Sequence, residues 1–143
     1  MSLNFTIEGG GLDLIALSQG MERKVLEPYI SALAGRAEEL MREVAPRRTG
    51  RLTSSIHREA GRLEAAVGPR APYAIYVEYG TRPHVIRPVH ARALRFEAGG
   101  HIVFAAWVQH PGTRPQPFIR QTAETVRGEA GRVFERVWRE VAG

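Results

Sequence analysis

The side chains to weigh first for chemistry are five histidines, one aspartate, a serine pair and a glutamate set among tyrosines. The histidines are His57, His84, His90, His101 and His110. No two of them stand four residues apart, and no carboxylate accompanies His84 and His90, so their spacing builds no metal site. Ser54 and Ser55 lack the glycines of a nucleophile elbow. Asp13 stands alone near the N-terminus. Glu78 has no second carboxylate nearby in sequence for paired acid–base work. It is expected instead to pair with an arginine or to accept backbone hydrogen bonds. The chain has no cysteine, which excludes thiol catalysis, disulfides and cysteine-based zinc sites together. Gly9, Gly10 and Gly11 precede a helical pattern, but their spacing fits neither phosphate-binding fingerprint and no lysine follows where one is needed, so a flexible turn is expected. Together these residues point away from an enzyme and call for no cofactor and no metal.

At 143 residues the chain fits one domain, spanning 1–143, with room for a real core. Its 43% apolar content argues against disorder. No apolar run is long enough to span a membrane, and residues 1–11 show no signal peptide, which with the missing cysteines suits the cytoplasm. The net charge of +5 is uneven. Residues 46–120 carry twelve arginines against four glutamates, and Lys24 is the only lysine. Two readings stand: the arginine bias of a GC-rich genome, or a basic face toward DNA or an acidic partner. Arg47, Arg48, Arg51, Arg82, Arg87 and Arg92 are the candidates for such a face. No helix-turn-helix, zinc finger or RNA-binding aromatic signature accompanies them.

The elements that must position these groups can be read in order. Leu3 to Glu8 alternates as a short strand. Leu12 to Ala45 has helical periodicity, with Asp13 able to cap its start, Ala45-Pro46 as its stop and Pro28 expected to kink or split it. Unbroken, it would be roughly 50 Å long. Either part of its apolar stripe meets another chain, or two shorter helices fold over one sheet. Thr49 is a plausible cap for one helical turn that puts Leu52 and Ile56 on one face. His57–Glu59 and Leu63–Val67 read as strands joined around Gly61. Tyr73 to Tyr79 reads equally as a strand or as a helix started by Pro72 and ended by Gly80. Pro83 to Arg92 reads as an extended loop. Residues 93–97 and 101–108 flank Ala98-Gly99-Gly100 as a β-hairpin. His110 to Pro117 reads as a rigid turn, and Phe118 to Val141 as a second amphipathic helix. Its stripe runs Phe118, Ile119, Val126, Val133, Phe134, Val137, Trp138 and Val141.

The order Ala45-Pro46, Thr49-Gly50-Arg51-Leu52, Ser55-Ile56, Tyr73-Ala74, Val77-Glu78-Tyr79-Gly80-Thr81, His110-Pro111-Gly112-Thr113 and Pro117-Phe118 resembles the bacteriophage head–tail joining, or tail-completion and neck, proteins. The type member of that family is the tenth gene product of coliphage HK-ninety-seven. The resemblance covers most of the chain and implies an α+β fold: a long N-terminal helix and a C-terminal helix packed on a small, mostly antiparallel sheet. It implies a non-enzymatic structural protein acting as a ring-forming neck subunit, a hexamer. Its partners would be copies of itself, the connector or head-closure protein and the tail tube or tail terminator, with DNA passing nearby. It would reside in the virion neck or tail, and in the host cytoplasm during assembly. It also favours a short helix at Tyr73–Tyr79 and assigns the motif residues to structure and assembly. A basic nucleic-acid-binding protein of a mobile element is the rival reading. It predicts a monomer or dimer whose DNA affinity falls steeply with salt.

Overall fold

The computed structural model describes residues 5–8 and 22–143, with side chains from Lys24 onward. The glycine turn at 9–11, the Asp13 cap and the first part of the expected long helix lie outside them. A π-helical turn, Glu22–Leu26, leads into helix α1, Glu27–Val44. Pro28 sits in the first turn of α1, directly after the π-helical turn, so the helical run changes its type, from π to α, just ahead of the proline. Ala45 turns extended at φ −62° and ψ 134° ahead of Pro46, which ends the helix.

A short helix α2, Arg51–Ser55, follows, then strands β2, Ile56–Ala60, and β3, Glu64–Pro69. With β1, Phe5–Glu8, they form an antiparallel sheet in the order β1-β3-β2. Phe5 pairs with Val67 on one side of β3, and Arg58 pairs with it on the other. Helix α3, Ala74–Tyr79, and strand β4, His84–Ile86, come next. The chain then forms a hairpin of β5, Leu94–Ala98, and β6, His101–Ala105, returns through β7, Val108–His110, and ends in helix α4, Phe118–Ala142. The fold class is thus α+β, with two long helices and small antiparallel sheets.

Helix α1 is the middle layer, packed on β2 and β3 and also on α4. Ile30, Leu33, Ala34, Ala37, Leu40 and Met41 are all buried along it. The alanines let neighbouring elements approach closely, while Met41, Ile56, Val67 and Phe118 fill the centre. The first apolar stripe, expected over Leu12 to Ala45, is described only from Lys24 onward. Between Glu27 and Val44 it is consumed within the chain, and α1 is no surplus surface for a partner. On α4, Phe118, Ile119, Val126, Val133 and Val137 are buried. Trp138 and Val141, expected on the inner stripe, are exposed.

One charge cluster ties α1 to α4. Arg36 donates from Nε to Glu129 Oε2 at 2.8 Å and from Nη2 to Glu129 Oε1 at 3.2 Å, and its Nη1 reaches Glu39 at 3.0 Å. The hydrogen bond from Arg36 holds the Glu129 carboxyl below its ordinary value of 4.5. A carboxylate whose folded pKa is depressed contributes stability that is fully present above the ordinary value and lost as pH falls through the lowered one. The urea midpoint of the protein is therefore expected to drop below about pH 4.5, and that of Glu129→Gln to drop less over the same window. Equal acid sensitivity in both proteins would remove this pair from the account.

Candidate assembly site

Helix α4 begins with a problem its own sequence does not solve. The N-cap residue is Pro117, which makes no side-chain cap, and the first turn carries no acidic residue. The first N–H groups of a helix have no partners within it and need acceptors from elsewhere. Phe118 N–H finds the carbonyl of Gln116 at 2.8 Å. Ile119 N–H and Arg120 N–H find Glu78, at 2.8 Å to Oε2 and 3.0 Å to Oε1. Gln121 N–H then opens the regular pattern by bonding Pro117 O at 2.9 Å. Glu78 is thus a cap supplied from α3, 41 positions upstream of the first donor. Its side chain is buried at 5% exposure, in a place where two backbone donors and the positive end of the helix favour a carboxylate. Of the two roles expected for it, the backbone-acceptor role is the one it plays.

Glu78 is buried because α3 is a helix. Ala74 and Glu78, one turn apart, face inward, whereas Tyr73, Tyr76 and Tyr79 are exposed. Tyr73 is the N-cap, so Pro72 stands one residue before the cap and not at the first helical position. Gly80 ends the helix at φ 72°. From there the two motifs that stood out in the sequence meet. Thr81 and Thr113 exchange both backbone hydrogen bonds at 3.1 Å, and their hydroxyls lie 3.1 Å apart. Gln116 N–H bonds Val77 O at 2.8 Å. The contact is so close that a methyl group on Gly80 would lie 2.5 Å from Thr113 O, and one on Gly112 would collide with Thr81 O. Both glycines also have positive φ, a conformation that suits only glycine well. Val77–Thr81 and Pro111–Phe118 thus form one clasp over the start of α4.

Beyond the clasp the chain continues as a ladder. The expected loop at Pro83–Arg92 contains β4, which pairs with β7 in the register His84–His110, Val85–Gln109 and Ile86–Val108. His110 is a strand residue, not part of a turn. The His84 and His110 rings face each other with centroids 5.0 Å apart. His110 Nδ1 accepts from Gly112 N–H at 3.0 Å, while His84 Nδ1 lies 2.8 Å from Arg82 O. An open groove of about 800 Å³ runs along this ladder, walled by Tyr73, Tyr76, Ile86, His84, Arg82 and Arg114.

The hairpin grows from the same ladder, and Gly99-Gly100, both at positive φ, make its two-residue turn as expected. Its second strand stops at Ala105, before Trp107, and the chain re-pairs as β7. Phe104 is 66% exposed, and Ile102 and Trp107 more than half. The arm packs strand on strand and has no comparable packing on α1, α4 or the three-stranded sheet.

The arginine candidates fall in two places. Arg47, Arg48 and Arg51 are exposed around the turn into α2, where Arg47 Nη2 donates to Arg42 O at 3.1 Å. Arg82 lines the groove, and Arg87 and Arg92 are exposed between β4 and β5. Thr49 is not the cap of α2. Gly50 holds that position at φ 79°, and Thr49 Oγ1 receives Arg51 N–H only at 3.4 Å. Leu52 and Ile56 are both buried, as their spacing implies. Two further residues work here, Ser55 of the family pattern and Gln116, which was not among the candidates. Ser55 accepts at Oγ from Ala71 N–H at 3.2 Å and at its carbonyl from Arg70 N–H at 3.0 Å, fixing the approach to α3. Gln116 splices the clasp to α3. Neither bond has a local sequence signature.

Among the described residues no group of histidines and carboxylates is placed to hold a metal ion. No helix among them is long and apolar enough to cross a membrane. Residues 13–80 match the HK97-gp10-like family, described as bacteriophage HK97-gp10 and a proposed tail component. That family is the one the sequence resembles, and the matched stretch ends on Gly80, within the clasp. No curated protein and no solved structure gives a significant match.

Proposed function

We propose that this chain, similar over residues 13–80 to a family of bacteriophage tail components, is a non-enzymatic structural protein that forms a ring at the junction of head and tail. The family match carries the reading. The surface supports it: a subunit that assembles needs apolar area outside its own core, and this chain holds it between Val85 and Trp107. In this reading the ring, a hexamer, sits between the connector and the tail tube or tail terminator. Arg47, Arg48, Arg51, Arg82, Arg87 and Arg92 face a partner or the DNA that passes through the lumen. The motif residues Thr49, Gly50, Leu52, Tyr73, Glu78, Gly80, Thr81, His110, Pro111, Gly112, Thr113, Pro117 and Phe118 shape the subunit and its assembly surfaces.

Light scattering across a concentration series, with negative-stain images of the largest species, tests this. The expected result is a discrete oligomer that appears with concentration and images as a ring. Retention of DNA by that ring should weaken as salt rises. A protein that stays monomeric or dimeric yet binds DNA with steep salt dependence would replace the ring by a nucleic-acid-binding role.

A further inference from the structure

The hairpin arm is oddly built for something that stands alone. An isolated two-stranded hairpin is marginal in water. In the register of this one, Arg95 opposes Phe104 and Glu97 opposes Ile102. Directly paired residues point to the same side, so one face presents Phe104, Ile102, Arg95 and Glu97 together. Glu97 is the only carboxylate between Glu78 and Glu124, in a stretch otherwise rich in arginine. Among the described residues it makes no ion pair, and neither do Arg82 and Arg114. Those two arginines stand on the wall of the groove, beside the rings of Tyr73 and Tyr76 and the side chain of Ile86.

We infer that the β5–β6 arm of one copy seats in the Tyr73–Tyr76–Ile86 groove of a second copy, with Glu97 facing Arg82 and Arg114. Arm and groove match in chemistry: exposed Phe104 and Ile102 against a groove with tyrosine and isoleucine walls, and a lone carboxylate against two arginines that make no ion pair among the described residues. A guanidinium pair is a natural acceptor site for one carboxylate. Arm and groove are different surfaces, so the contact is head-to-tail, and repeating it gives a chain of subunits that closes into a ring when the rotation allows. The inference rests on the ring reading above and says which surfaces make the ring.

The absence of native cysteine makes a clean test. Ile102→Cys on the arm and Tyr76→Cys on the groove are prepared as separate proteins, both checked by circular dichroism against the parent fold, and treated with a short bifunctional maleimide. A mixture should yield covalent dimers of one chain of each kind, while either variant alone should not cross-link. Adding Glu97→Arg to the arm variant should cut the yield roughly tenfold or more, since it sets like charges together. Combining it with Arg82→Glu and Arg114→Glu on the groove variant should restore the yield. If the unmodified protein assembles but the mixture does not cross-link, the arm–groove contact is wrong and the ring reading survives. Cross-linking of the arm variant with itself would also overturn it, by showing arm against arm. If the unmodified protein stays single at every concentration and nothing cross-links, both fall.

Discussion

Glu78→Ala is expected to cost about 2–4 kcal/mol, a fall in melting temperature of roughly 5–15 °C. The change removes both acceptors from the start of α4 and leaves Ile119 N–H buried with nothing to bond. A stranded buried donor costs about 1–3 kcal/mol. Arg120 N–H is only part-buried, so water can replace its bond and its share is smaller. Glu78→Gln keeps one oxygen but turns an amide group toward a donor, so it should fall between the parent and Glu78→Ala. Glu78→Asp is one methylene short of the helix and should behave more like the alanine variant than like the parent. Thermal unfolding followed by circular dichroism gives the order. Hydrogen exchange gives the location: the amides of Ile119 and Arg120 should lose protection before the middle of α4 does. A Glu78→Ala protein that melts like the parent with those amides still protected would remove the cap from this account.

Gly112→Ala is the second large effect, expected to destabilise by about 2–5 kcal/mol. A left-handed conformation costs an ordinary residue about 1–2 kcal/mol. The added methyl group also meets Thr81 O and the backbone of Arg82 and Pro83. Backbone cannot rotate away as a side chain can, so the clasp must part, and such overpacking typically costs about 1–3 kcal/mol. Gly80→Ala should behave alike, since its methyl group lies 2.5 Å from Thr113 O and 2.8 Å from Pro115 N. Gly99→Ala supplies the contrast. Its φ is 58°, yet nothing lies within 4 Å of the added carbon, so only strain remains, at about 1 kcal/mol. Urea midpoints of the three variants should separate the two clasp glycines from the hairpin glycine. Equal midpoints would mean that the clasp yields without cost.

These two sites also show what the sequence could and could not tell. The hairpin was legible because Gly99-Gly100 between apolar runs is a local signal for a local structure. The end of α1 was legible at Ala45-Pro46 for the same reason. Tyr73–Tyr79 was ambiguous because three tyrosines make both faces look apolar. Only burial resolves it, and the residue buried most usefully is the charged one. Nothing near Glu78 announces that role, because its donors lie 41 and 42 positions away. Strands β4 and β7 were missed because three residues are too few to show a period, and Pro83 and Pro88 suggested a loop. The apolar stripe of the first helix was open between a partner and the core. Over its described part, Glu27–Val44, α1 spans about 27 Å, which α4 and the sheet cover between them. Among the described residues, exposed apolar side chains gather instead on the hairpin and its flanks, at Ile102, Phe104 and Trp107.

The cap on α4 also bears on where this domain begins and ends. A buried carboxylate without donors is an expensive thing to leave in a chain. The segment that carries the family signature, residues 13–80, contains the acceptor, and the two amides that satisfy it belong to Ile119 and Arg120. Any fragment ending before Phe118 must leave Glu78 in solvent or give up α3 in this form. The matched segment thus holds the acceptor of this cap but neither of its two donors. The middle and last thirds of the chain are joined there by one side chain, reaching from α3 to the first turn of α4.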